Sequence, residues 1–132
     1  MMTVLIVADD SVAAALRPLV QDGPHFRVIS HASGPVEALA QARVLLPDIV
    51  LIDSTVPGAE QGLGALFQGV RGLRPPSGVI WHLSSEAPVA AAFLADADGS
   101  VHVTRHGDRA ALRAALVAIG RRRASCDPDQ PV

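Results

Sequence analysis

The chain has 132 residues, 49% of them hydrophobic but only 3% aromatic and none tyrosine, which suits one domain with a core of Val, Leu, Ile and Ala. Its net charge of -2, with acids and bases spread along the sequence, provides no basic face able to follow a phosphate backbone, so direct nucleic-acid binding is not expected. No apolar run approaches the roughly 20 residues that span a bilayer, the start MMTVLIVADD lacks the form of a secretory leader, and a lone Cys126 makes no internal disulfide; a cytoplasmic protein with no membrane partner is the expectation.

Taken in chain order, short runs rich in β-branched residues predict strands at Thr3 to Ala8, Phe26 to His31, Asp48 to Ile52, Gly78 to Leu83 and Ser100 to Thr104. Each is followed by a segment of helical pattern: Ser11 to Gln21, Pro35 to Leu46, Glu60 to Leu73, Ala87 to Ala95 and Asp108 to Arg122. Ser11 and Asp108 are suited to cap the first and last helices, and Pro35 to open the second. Chain breaks fall at Asp22-Gly23-Pro24, Pro57-Gly58 and Pro75-Pro76. Pro18 should bend the first helix, and Gly62, Gly64, Gly69 and Gly72 should weaken the third. There is no internal repeat. The domain is expected to occupy residues 1–123, with 124–132 (ASCDPDQPV from Ala124) a disordered tail or the start of a linker.

Strict β-α alternation with short connections predicts an α/β fold, a (βα)5 doubly wound parallel sheet in the flavodoxin-like order 2-1-3-4-5. Ligands in such sheets bind beyond the carboxyl ends of the strands, where the winding reverses, here between strands 1 and 3. Strand 1 ends in Ala8-Asp9-Asp10 and strand 3 in Ile52-Asp53, so three carboxylates are expected in one crevice. Such a group repels itself unless a cation is present or its pKa values rise, and hard oxygen ligands on an open rim match Mg²⁺ better than zinc. The alternative is that these acids only cap helices or are solvated. His25, His31, His82 and His106 have no Cys or acid partner at zinc-like spacing, which gives no transition-metal site.

The segments LIVADDS, PHFRVISHASGPVEALAQARVLLPDIVLIDSTVPG, VIWHLSS and ADGSVHVTRHGDRAALRAALVAI, spanning residues 3 to 120, resemble the receiver domain of two-component response regulators. The closest likeness is to receivers of the LuxR/NarL type. Its most specific parts are the paired acids after strand 1 and the ID-x-x-x-PG turn after strand 3.

The resemblance implies a phosphoryl switch rather than an enzyme. Asp53 would be the phosphoacceptor, taking a phosphoryl group from a sensor histidine kinase or phosphotransfer protein. Mg²⁺ would be held by Asp9, Asp10, Asp53 and the carbonyl of Thr55, and Ser84 would contact the phosphoryl group. The resulting change would reach the face made by the fourth predicted helix, the fifth strand and the last helix, a surface for homodimer contact. A longer parent protein could carry a DNA-binding domain.

The sequence departs from the family in two places. Receivers carry a Lys at the end of strand 5, but all eleven basic residues of this chain are Arg, and the family interval puts Arg105 there. Arg keeps the charge but is a planar fork rather than a movable point charge. His102 stands where the family has an aromatic switch residue. Two readings therefore stay open: a domain phosphorylated on Asp53, and a degenerate receiver that works through protein contacts without phosphorylation. A phosphatase of the haloacid dehalogenase type would need an Asp where Thr55 stands, and a nucleotide- or flavin-binding protein a Gly- and Ser-rich loop where Asp9 and Asp10 stand.

Overall fold

The computed structural model describes residues 1–53, 59–83 and 101–125. They form β1 (Met2–Val7), α1 (Asp10–Val20), β2 (Phe26–Ala32), α2 (Pro35–Leu45), β3 (Ile49–Asp53), α3 (Ala59–Arg71), β4 (Gly78–Leu83), β5 (Val101–Arg105) and α4 (Arg109–Ser125). The five strands are all parallel, in the order β2-β1-β3-β4-β5. The expected architecture and strand order are therefore present, with element ends displaced by at most three residues. The expected helix at 87–95 and residues 126–132 lie outside the described residues, while α4 runs to Ser125, past the expected domain end at Arg123. No described helix is long and apolar enough to cross a membrane.

The continuous apolar runs of β3 and β4 reflect burial on both faces: every residue of both strands is buried. On one face Val4, Ile6, Ile49, Leu51 and Ile80 pack against Ala13, Leu16 and Val20 of α1 and Leu112, Leu116 and Ile119 of α4. On the other, Leu5, Val7, Val50, Ile52, Val79 and Trp81 meet Ala38 and Ala42 of α2 and Leu63, Leu66 and Val70 of α3. Trp81 is a core residue, as expected, with its ring 5.7 Å from that of Phe67. β5 is an edge strand whose alternation is visible: Val101 and Val103 pack on the α2/α3 side, whereas His102 and Thr104 alternate to the α1/α4 side.

Local chemistry explains the boundaries. Pro35 opens α2 as expected, and Asp108 accepts the Ala111 amide at 2.9 Å at the start of α4. The cap of α1 is Asp9, not Ser11: Asp9 Oδ1 accepts the Val12 amide at 2.8 Å, and the Ser11 hydroxyl supports the same oxygen. Both are good caps, but starting the helix at Asp10 places Asp9 at the position whose side chain reaches the open amides. Pro18 falls in the last turn of α1, which ends at Val20, so it interrupts only the end of the hydrogen-bond ladder. Two glycines of α3 form a close seam with α2. A Cβ at Gly62 would lie 2.8 Å from Pro35 Cβ, and one at Gly69 2.4 Å from Leu39 Cδ1. The helix propensity lost at these positions permits the approach of α3 to α2.

The carboxyl ends of β3, β4 and β5 thus stand side by side, with Asp53 opposite His82 and His82 opposite Thr104 in the register.

Candidate functional site

Period-two alternation places Asp53 on the α1/α4 side of the sheet, in line with Ile49 and Leu51 of its own strand. The registered neighbours His82 and Thr104 lie on the same side, and His106 follows Thr104 at the next position of that alternation. The backbone delivers His106 to the site: its amide donates to the Leu83 carbonyl at 2.8 Å, and Gly107 then turns the chain with φ of +87° into α4.

Asp53 is fully buried, and Nε2 of His106 lies 2.8 Å from its Oδ2. An ionised carboxylate only accepts hydrogen bonds, so Nε2 carries the proton in this contact. The bond is charge-assisted, of the kind that offsets the cost of burying a carboxylate. The rings of His82 and His106 stack with centroids 4.6 Å apart and planes 31° from parallel. Nδ1 of His82 is 2.7 Å from the Thr104 hydroxyl. Burial depresses the pKa of His82 below the ordinary imidazole value; the neighbouring His106 adds to the effect and Asp53 opposes it. His82 is thus held neutral while His106, with its side chain 35% exposed, links the buried carboxylate to solvent.

The other predicted acids are occupied differently. Asp9 caps α1, and the amide of Val12, foremost, with the Ser11 hydroxyl holds its carboxyl below the usual carboxylate range. Asp10 is 94% exposed, with Oδ1 3.7 Å from Nε2 of His31, a nitrogen that also lies 2.8 Å from the Ala8 carbonyl. Among the described residues no group of three His, Cys, Asp or Glu side chains is arranged to hold a metal ion. The carboxylates expected to hold Mg²⁺ do not fit a common ligand set as placed here. The helix cap takes up Asp9, solvent surrounds Asp10, and His106 engages Asp53.

Thr55 and Ser84 lie outside the described residues. Arg105, half-buried and paired in register with Leu83, alternates with Val101 and Val103 onto the α2/α3 side. His102, half-buried, pairs with Ile80 and shares the side of Thr104 and His106. The residue that sequence reasoning passed over is His106. A zinc-style search considers only neighbours in sequence, and this partner is 53 positions away. Strand alternation carried from Thr104 to the next residue on the same side is the signal that finds it.

An apolar groove of about 300 Å³ adjoins the pair, lined by Val12, Ala15, Leu16 and Leu19 of α1 with His82, His106 and Gly107.

No protein-family model matches the sequence, and no curated protein matches it. Solved structures do. A two-component response regulator of the LuxR family from Aurantimonas sp. SI85-9A1 aligns with a TM-score of 0.72 and 25% identity over 92% of this chain and 86% of that one. The REC domain of AraT, a response regulator from Geobacillus stearothermophilus, gives 0.76 and 19% over 94% and 96%. The response regulator domain of Thermotoga maritima CheB gives 0.68 and 21% over 97% and 99%. The chain has the receiver-domain fold of response regulators.

Proposed function

We propose that this receiver-fold domain is the input module of a two-component response regulator and that Asp53 is its phosphoacceptor. The observation that carries the reading is the position of Asp53: a carboxylate at the carboxyl end of β3, at the crevice where the sheet reverses its winding, met by a donor from the end of β5. An oxygen of Asp53 forms a bond to phosphorus as the donor's bond to its leaving group breaks, and the leaving group departs with the electron pair. The donor is a phosphohistidine of a sensor kinase or phosphotransfer protein, or a small acyl phosphate. What the protein contributes is position and charge compensation, the main requirements of phosphoryl transfer. No step is assigned to Mg²⁺, because the acids expected to bind it are not gathered.

A second reading has its own support. Asp53 is fully buried and already paired, and Asp9 and Asp10 are directed to other tasks, which suits a receiver that signals by protein contact alone. Incubation with acetyl phosphate, with and without Mg²⁺, followed by intact-mass measurement separates the two. Uptake of one phosphoryl group by wild type and none by Asp53→Asn is the result expected of the switch. No uptake with a small donor or a phosphorylated kinase leaves the contact-only receiver.

A further inference from the structure

We propose that His106 is the residue that holds Asp53 and contacts its phosphoryl group, in place of the strand-5 lysine that this chain lacks. The proposal rests on the reading of Asp53 as the phosphoacceptor. Three observations support it. The first is distance: His106 Nε2 is 2.8 Å from Asp53 Oδ2, across the end of β4. The second is construction. The His106 amide is tied to the Leu83 carbonyl at 2.8 Å, the ring is stacked on His82 at 4.6 Å, and His82 is itself fixed by the Thr104 hydroxyl at 2.7 Å. A ring held on this many sides donates along one direction without reorganising, which is how a donor becomes useful to a charged group. The third is alternation, which puts Arg105 with Val101 and Val103 on the α2/α3 side and His106 with Thr104 on the side of Asp53.

In the resting state Nε2–H donates to the carboxylate. When a carboxylate oxygen becomes bonded to phosphorus, the negative charge moves onto the phosphoryl oxygens, and the same N–H is within reach of them. The same Nε2–H serves in both states, since a ring with its proton on Nε2 is a donor to either oxygen. The His106 side chain is 35% exposed, which gives the donor an open side.

The test compares His106→Ala, His106→Gln, Arg105→Ala and, as a histidine control at the opposite edge of the sheet, His25→Ala. Acetyl phosphate is the phosphodonor, and both the rate of phosphoryl uptake and the lifetime of the acyl phosphate are followed by intact mass. The expected result is a loss of tenfold or more in uptake rate or lifetime for His106→Ala, partial recovery by His106→Gln, which keeps an N–H donor, and a smaller loss for Arg105→Ala. A larger loss for Arg105→Ala than for His106→Ala overturns the proposal. Nitrogen NMR of the imidazole rings in unphosphorylated protein supplies a readout that depends neither on phosphorylation nor on a foldable alanine variant. His106 should show the Nε2–H form, and Asp53→Asn should shift its resonances. If those resonances do not respond to Asp53→Asn, the pair is absent and the proposal fails even with phosphorylation intact. If they respond but wild type takes up no phosphoryl group, the reading of Asp53 as phosphoacceptor fails, and the phosphoryl contact with it.

Discussion

Ser11 Oγ donates a 2.8 Å hydrogen bond to Asp9 Oδ1, the oxygen that also receives the Val12 amide at 2.8 Å. The first of the paired acids is thereby committed to the start of α1, and this bears on both stability and the site. Asp9→Ala should lower the thermal midpoint, Asp9→Asn less so because Asn also caps, and Ser11→Ala least. The fold holds the Asp9 carboxyl below its ordinary value of 3.8, so its contribution is complete above that value and is lost as pH falls through the lower folded value. Melting curves of wild type and Asp9→Ala should converge at strongly acid pH.

His82 gives a pH dependence in another range. Its folded pKa is depressed below 6.5, chiefly by burial, so between the two values the unfolded chain binds a proton that the fold refuses. Stability is therefore greatest above pH 6.5 and falls as the pH drops toward the folded value. Chemical denaturation at pH 7.5 and at pH 5.5 should show this loss, and it should shrink in His82→Gln.

The glycines of α3 separate into two kinds. At Gly62 an added Cβ meets the rigid Pro35 ring, and Gly62→Ala should destabilise by about 1–3 kcal/mol through overpacking. At Gly64, exposed and with nothing within 4 Å of a Cβ, Gly64→Ala should stabilise by about 0.5–1 kcal/mol through helix propensity. Urea unfolding of the two variants checks the difference in sign.

Leu46 ends α2 in the left-handed region, with φ of 49° and 47% of its surface exposed. A branched side chain there costs about 1 kcal/mol that glycine does not. Leu46→Gly should therefore raise the urea midpoint, against the usual trend for removing a large apolar residue.

The fold was legible because the central strands β1 and β3 are largely Val, Ile and Leu, the pattern of strands covered on both faces, and because each strand-length run is followed by a longer segment of helical pattern. Asp9, Asp10 and Asp53 were legible as acids at strand ends for the same reason: the apolar runs stop at them. Their directions were not. Asp9 and Ser11 are both competent caps, and only the helix start at Asp10 decides between them. Arg105 and His106 are adjacent candidates at the end of β5. A sequence interval selects Arg105, whereas the alternation set by Val101 and Thr104 brings His106 to the carboxylate. The glycines of α3 read as weakness because a helix pattern does not show which neighbour lies against it.

Trapping the acyl phosphate shows whether Asp53 is where a phosphoryl group enters. After incubation with acetyl phosphate, reduction with borohydride converts a phosphorylated aspartate to homoserine, which peptide mass spectrometry locates. Homoserine is expected at position 53 in wild type and at no position in Asp53→Asn. Homoserine at Asp9 or Asp10 instead, or at no position in wild type, would contradict that assignment.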